Sequence, residues 1–171
     1  MTMSENIINK VTDSGIITID LTTLLPNNEI VLFDIKPYLF MELILKEKDF
    51  RASLQSIDWS SYQDKIVGIH CSADAIIPMW ANMLIVSNLQ PFVKGVYFGD
   101  ETKVREQLIL EKIIALNAND YNNQRVVVKG CGEIHVGESA YIAITQKLRA
   151  TAKSIMFGEP CSTVPVFKRK D

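Results

Sequence analysis

The sequence predicts an α/β protein of three layers, in which a mostly parallel sheet carries helices on both faces. The main observation is that short, β-branched apolar runs alternate with longer segments of helical spacing between residues 65 and 158. Short links join these segments, and such strand–helix–strand units form right-handed crossovers in parallel sheets. The chain has 171 residues, which is enough to bury a core within one domain.

Four strands are predicted in this repeating half of the chain. Each is a short run rich in β-branched or aromatic residues, which is typical of strands that are buried in a parallel sheet. The runs are residues 65–70 (KIVGIH), 92–99 (FVKGVYFG), 125–130 (RVVVKG) and 153–158 (KSIMFG).

Three helices are predicted between these strands. The first covers residues 78–89, where Pro78 suits the first helical turn. The second follows Asp100, a favourable N-cap residue, and covers residues 101–117. The third covers residues 138–150, where apolar side chains recur at helical spacing.

The first part of the chain is predicted to be an N-terminal extension of about residues 1–58. Two apolar runs, at residues 15–21 and 29–35, are expected to be strands that extend the sheet, joined through TTLLPNN as a hairpin or meander. A helix is expected over residues 43–57. Because no linker-like tract interrupts the sequence, we expect a single α/β domain over residues 1–171.

Composition limits the partners that the protein is expected to have. The formal net charge is −2, which gives no general attraction to nucleic acid or to anionic membranes. The first residues lack the pattern of a signal peptide, and no apolar stretch reaches the ~20 residues that a membrane span needs. We therefore expect a cytoplasmic protein with no nucleic-acid or membrane partner, and the apolar helix at residues 78–89 leaves room for a homodimer.

The three cysteines of the sequence all follow predicted strands. Cys71 and Cys131 come directly after a strand, and Cys161 comes three residues after another. The carboxyl ends of parallel strands meet at one edge of a sheet, where open α/β sheets bind ligands. The expected geometry therefore brings the three thiols to a shared edge.

Sulfur and imidazole nitrogen are the ligands that zinc prefers, and thiolates also hold iron–sulfur clusters. The sequence therefore predicts a metal- or cluster-binding accessory protein that holds Zn²⁺ or an iron–sulfur cluster. The expected metal ligands are Cys71, Cys131, Cys161 and His135, and the neighbouring polar residues expected to complete the site are Asp74, Glu133 and Glu159.

Two other functions remain open. The sequence has no C-x-x-C spacing, and a free cysteine often packs as a small apolar residue. The protein is then either an enzyme or sulfur acceptor that uses one reactive thiolate, Cys71 or Cys161, or a non-catalytic interaction module with buried thiols.

Several segments of the sequence are similar to a known family. SGIITIDL, FDIKPYL, LILKEKDFR, CSADAIIPMWA, VVVKGC and SIMFGEPCSTVP together resemble a bacterial family that is catalogued only as a domain of unknown function. The resemblance runs from about residue 7 to residue 170. It implies no established activity, but it implies a gene neighbourhood of iron–sulfur cluster assembly, and therefore partners among proteins of iron–sulfur or metal handling.

Overall fold

A computed structural model describes residues 9–11, 15–130, 134–159 and 161–170 of the protein. In these residues the chain forms eight strands and four α-helices. The strands are β1 (Asn9–Val11), β2 (Ile16–Asp20), β3 (Ile30–Asp34), β4 (Ile66–His70), β5 (Gly95–Phe98), β6 (Arg125–Lys129), β7 (Ser154–Glu159) and β8 (Ser162–Lys168). The helices are α1 (Glu47–Gln55), α2 (Met79–Leu89), α3 (Glu101–Ala115) and α4 (Glu138–Leu148).

The strands form two sheets, both largely parallel, which confirms the predicted α/β class. The five-stranded sheet has the order β1-β2-β6-β7-β8, in which β2, β6 and β7 are parallel and the two edge strands are antiparallel. The three-stranded sheet has the order β3-β4-β5 and is parallel throughout. The expectation of one continuous sheet is therefore corrected to two sheets.

The chain divides into two compact units, each built around one sheet. The five-stranded unit comprises residues 1–26 and 105–171, and the three-stranded unit comprises residues 27–104. The division falls within α3, whose first four residues belong to the three-stranded unit. The repeating half was expected to begin near residue 65, which does not coincide with either boundary between the two units. The expectation of a single domain over residues 1–171 stays a prediction.

The three-stranded unit buries one face of its sheet under α1 and α2. Strand residues of β3 and β4 meet apolar residues of both helices in one core, which comprises Phe33, Ile35, Leu45, Phe50, Leu54, Val67, Ile69, Ala81, Ile85 and Leu89. The opposite face meets the start of α3, because a Cβ atom added at Gly68 would lie 2.8 Å from Cγ2 of Val104. Helices therefore lie against both faces of this sheet, as predicted.

The five-stranded unit has a separate core between its sheet and two helices. Ile19, Val126, Val128 and Ile155 come from the central strands, since alternate residues of a strand share a face. Apolar side chains of α3 and α4 complete the core, namely Ile109, Ile113, Ala140, Ile144 and Leu148. This accounts for the predicted helical spacing in the third helix.

Two local predictions were wrong, each because a turn intervenes. The segment after β2 forms a 3-10 helix, Leu21–Leu24, capped by the side chain of Asp20, and β3 then joins the other sheet instead of pairing with β2 as a hairpin. The first helix begins at Glu47 rather than residue 43, because Met41 and Glu42 adopt positive φ in a tight turn that pairs Phe40 with Ile44.

Candidate functional site

The candidate site is a cavity at the carboxyl edge of the three-stranded sheet. Ile35 directly follows β3, Cys71 directly follows β4, and Phe98 ends β5, and all three line the cavity. The side chains of Met79 and Asn82, from the first turn of α2, line it as well. The position agrees with the general rule that open parallel sheets bind ligands outside the carboxyl ends of their strands.

The cavity has a volume of about 530 Å³ and a mostly apolar wall. Ala73 and Ala75, in the loop between β4 and α2, contribute small side chains and thereby leave room in it. Larger apolar side chains complete the wall, from Ile35, Ile77, Met79 and Phe98. Cavities of this size and character are typical of sites for small organic molecules.

Asn82 is the amide side chain among the residues that line the cavity. Its Oδ1 is buried, and no hydrogen-bond donor reaches it within the part of the chain that the structure describes. An unpaired buried acceptor costs free energy, on the order of 1–3 kcal/mol. If the amide turns so that Oδ1 faces the cavity, a ligand that donates a hydrogen bond to Oδ1 would remove this cost.

Asp34 fixes the two loops that carry Ile35 and Cys71. Its carboxylate accepts hydrogen bonds from the backbone N–H groups of Lys36 and Ser72, at 2.9 and 3.0 Å, and from the Ser72 hydroxyl at 2.5 Å. Burial alone would raise the pKa of Asp34, but these hydrogen bonds and the neighbouring His70 outweigh burial and lower that pKa below its ordinary value. The Ser72 hydroxyl donates to this carboxylate, so the arrangement ties the loop after β4 to Asp34.

The prediction that all three cysteines follow strands of one sheet is corrected for Cys71 and Cys161, whose preceding strands belong to different sheets, while a shared site of the three cysteines stays a prediction. Cys71 follows β4 of the three-stranded sheet, whereas Cys161 lies in the turn between β7 and β8 of the five-stranded sheet. β4, the strand before Cys71, pairs with β3 and β5. It therefore belongs to the three-stranded sheet and not to the sheet that contains β7 and β8. Cys71 is partly buried and Cys161 is exposed, while Cys131 lies outside the described residues.

The structure describes three of the four other predicted site residues, Asp74, His135 and Glu159. Asp74 and His135 are exposed in loops, and Glu133 lies outside the described residues. Glu159 is engaged with Lys129, whose Nζ lies 3.3 Å from its carboxylate and 3.5 Å from Oδ2 of Asp20. Glu159 first, and Asp20 in addition, raise the pKa of Lys129, so one cation is shared by two carboxylates.

Within the described residues, no group of three or more His, Cys, Asp or Glu side chains is placed to hold a metal ion. The same residues contain no helix that is both long and apolar enough to cross a bilayer. The residues that do come together, apart from Cys71, are ones that sequence reasoning missed. The available signal was the run CSADA after a strand, because small residues at a strand's carboxyl end leave space for a ligand.

Comparisons with known proteins bear on the resemblance that the sequence suggests. No curated protein and no solved structure matches the chain. The description of the family that does match names no activity and gives no link to iron–sulfur cluster assembly. Its family model, described as "protein of unknown function (DUF2480)", covers residues 5–169, and the chain therefore belongs to the DUF2480 family.

Proposed function

We propose that the protein binds a small, mostly apolar molecule that carries one hydrogen-bond donor, in the cavity at the carboxyl edge of β3, β4 and β5. The observation that carries the proposal is an apolar cavity of about 530 Å³ lined by one amide side chain, that of Asn82, whose Oδ1 is buried and has no hydrogen-bond partner among the described residues. Apolar burial supplies affinity, and the single polar atom supplies orientation.

The loop held by Asp34 supports this proposal. Ile35 directly follows Asp34, whose carboxylate accepts the hydrogen bonds. Cys71 directly precedes Ser72, whose backbone N–H donates one of them. A wall whose backbone is fixed before the ligand arrives loses less conformational freedom on binding. The cavity therefore has the character of a preformed site.

Binding of N-phenyl-1-naphthylamine tests the proposal, since this fluorophore is apolar and carries a single N–H donor. We expect saturable binding of one probe per chain. Ala75→Phe fills the cavity and should lower the affinity at least tenfold, whereas Ala115→Phe, an equal change at an exposed position of α3, should leave it unchanged. Equal binding by all three proteins would place the probe elsewhere and overturn the proposal.

Asn82→Leu tests the polar part of the proposal. The substitution keeps the wall apolar but removes the acceptor, so probe affinity should fall roughly two- to tenfold, the contribution of one neutral hydrogen bond. The unliganded protein should lose no stability, because the unpaired oxygen is removed with the side chain. An affinity equal to that of the wild type would show that the probe donates no hydrogen bond to Asn82.

An enzyme or sulfur acceptor with one reactive thiolate is a second candidate, because Cys71 is the described cysteine that lines the cavity. The rate of alkylation by iodoacetamide, measured at each cysteine by mass spectrometry, distinguishes such an enzyme from a protein that only binds a ligand. For a binding protein, the exposed Cys161 should be alkylated faster than Cys71. Saturating N-phenyl-1-naphthylamine should then slow the alkylation of Cys71 alone. A Cys71 that reacts much faster than Cys161 despite its burial would favour the enzyme.

Binding of Zn²⁺ or an iron–sulfur cluster through Cys71, Cys131, Cys161 and His135 stays a prediction, as do a cytoplasmic location and partners in iron–sulfur or metal handling. Elemental analysis of protein purified without oxygen tests the metal prediction directly. Zinc or iron that is retained by the wild type and lost from Cys131→Ser would support it. Equal metal content in both proteins would reject a role for Cys131.

A further inference from the structure

Exposed apolar side chains occur among the residues that line the cavity and on neighbouring residues of the same loop and helix. Met79 and Phe98 line the cavity and are nevertheless 77% and 66% exposed. Ile76, which lies between the lining residues Ala75 and Ile77, is 92% exposed, and Met83, one helical turn after Met79, is 71% exposed. We call these four side chains, Ile76, Met79, Met83 and Phe98, the apolar rim.

The apolar rim is large for a surface that faces only water. Four such side chains expose on the order of 500 Å² of apolar surface, and contiguous patches of this size usually mark interaction sites. A standard interface buries about 800 Å² per partner, and about 65% of a homodimer interface is apolar. The rim therefore supplies about the apolar area that one side of a stable dimer needs.

The charge of the segment that carries three of the four rim residues helps to identify the occupant. This segment, residues 71–93, contains a single charged residue, Asp74, and α2 contains none. Helices that lie on anionic membranes carry Lys and Arg on their polar face, so the composition disfavours a membrane surface. Partners of a different sequence are commonly selected by complementary charges, and around Ile76, Met79 and Met83 this segment offers only Asp74.

We propose that a second copy of this chain occupies the apolar rim, so that two α2 helices meet across a two-fold axis. An uncharged apolar surface is complementary to itself, as an isologous contact requires. The exposed positions that continue from Met79 and Met83 are Ser87 on α2 and Gln90 directly after it, which are uncharged and compatible with such a contact. The dimer is expected to form in the absence of a ligand, so this inference is tested separately from the proposed function.

Sedimentation velocity over a range of micromolar concentrations tests the dimer. The wild type should sediment with twice the 19.3 kDa mass of one chain. Met83→Glu places two carboxylates in the contact and should raise the dissociation constant at least about tenfold, without touching the cavity wall. The matched control is Ile114→Glu, because Ile114 is 70% exposed but lies on α3, and this variant should remain a dimer.

Three results would overturn the inference: a wild type that stays monomeric throughout, a Met83→Glu variant that dimerises like the wild type, or a wild-type monomer that floats with phosphatidylcholine vesicles. Circular dichroism should show that both variants are folded.

Cross-linking provides a second measurement that keeps the protein intact. A short bismaleimide should join two Met83→Cys chains in high yield and two Ile114→Cys chains in low yield, above the background of the native cysteines in the wild type. Equal yields for the two variants would place the contact elsewhere.

Discussion

The carboxylate of Asp34 accepts three hydrogen bonds at the carboxyl edge of the three-stranded sheet, two from backbone amides and one from the Ser72 hydroxyl. Through them a single side chain connects the loop after β3 with the loop after β4, and both loops supply the cavity wall. Hydrogen bonds to an ionised acceptor are stronger than neutral ones. The shape of the cavity therefore depends on the charge of Asp34.

Asp34→Asn should lower the free energy of unfolding of the three-stranded unit by about 1–2 kcal/mol at neutral pH. The two tryptophans of the chain, Trp59 and Trp80, both pack against the core of this unit, so urea unfolding followed by tryptophan fluorescence reports on it. The control is Asp74→Asn in the neighbouring exposed loop, which should change the free energy of unfolding little.

The contribution of Asp34 should also depend on pH. Because folding lowers the pKa of Asp34, its stabilising effect is present at neutral pH and is lost as the pH falls through the folded-state pKa. The difference in unfolding free energy between wild type and Asp34→Asn should therefore shrink on acidification below about pH 4. A difference that stays constant down to that range would contradict this role.

Among the residues that line the cavity, the sequence predicted one site residue, Cys71, from its position after a strand. It did not predict Asn82, because an asparagine inside an apolar helix gives no sign of the direction of its amide. It did not predict Phe98 either, since the end of a strand looks the same whether its last side chain is covered or lines a cavity. The missing information is the arrangement of loops from distant parts of the sequence.

The central strand of the three-stranded sheet is closely approached by the start of α3. A Cβ atom at Gly68 would lie 2.8 Å from Cγ2 of Val104 and 2.9 Å from both the backbone oxygen of Gly99 and Cδ2 of Leu32. Distances below 3 Å require movement, and a backbone oxygen cannot rotate away as a side chain does. Glycine is therefore required in β4 for the helix to approach.

Gly68→Ala should destabilise the three-stranded unit by about 1–3 kcal/mol, the usual cost of inserting a methyl group into a closely packed region. The matched control is Gly95→Ala in β5, where the three atoms nearest to the added methyl group all belong to the side chain of Tyr97, which can move more easily than backbone. Tryptophan fluorescence during urea unfolding measures both variants. A Gly95→Ala protein that is less stable than Gly68→Ala would contradict this account.

Elements with a strong local pattern were predicted well, and their pairing was not. The apolar run that became β4 and the helix after Pro78 agree with the structure to within a residue. The pairing of β2 with β6 joins Ile16 to Arg125, and no local pattern encodes a contact between residues so far apart. Strand β8 was missed because it contains Pro165, which is tolerated there because β8 is an edge strand.

At the scale of the whole molecule, the cavity is built by one unit, since every residue that lines it falls between residues 27 and 104. The apolar rim belongs to the same unit. A ligand and a second copy of the chain would therefore act on the same loops, with Met79 and Phe98 common to both surfaces. Binding of the two is expected to be coupled, and coupling of this kind is reciprocal.

The rate of ligand release tests this coupling and rests on both proposals. A second copy that covers the mouth of the cavity should slow the dissociation of N-phenyl-1-naphthylamine, because the probe must wait for the contact to open. Stopped-flow dilution should show slower release from the wild type as protein concentration rises. Release from Met83→Glu should be fast at every concentration, and release from Ile114→Glu should match that of the wild type. If the wild type is a dimer and yet releases the probe at the rate of Met83→Glu, the second copy leaves the mouth of the cavity open and the predicted coupling is wrong.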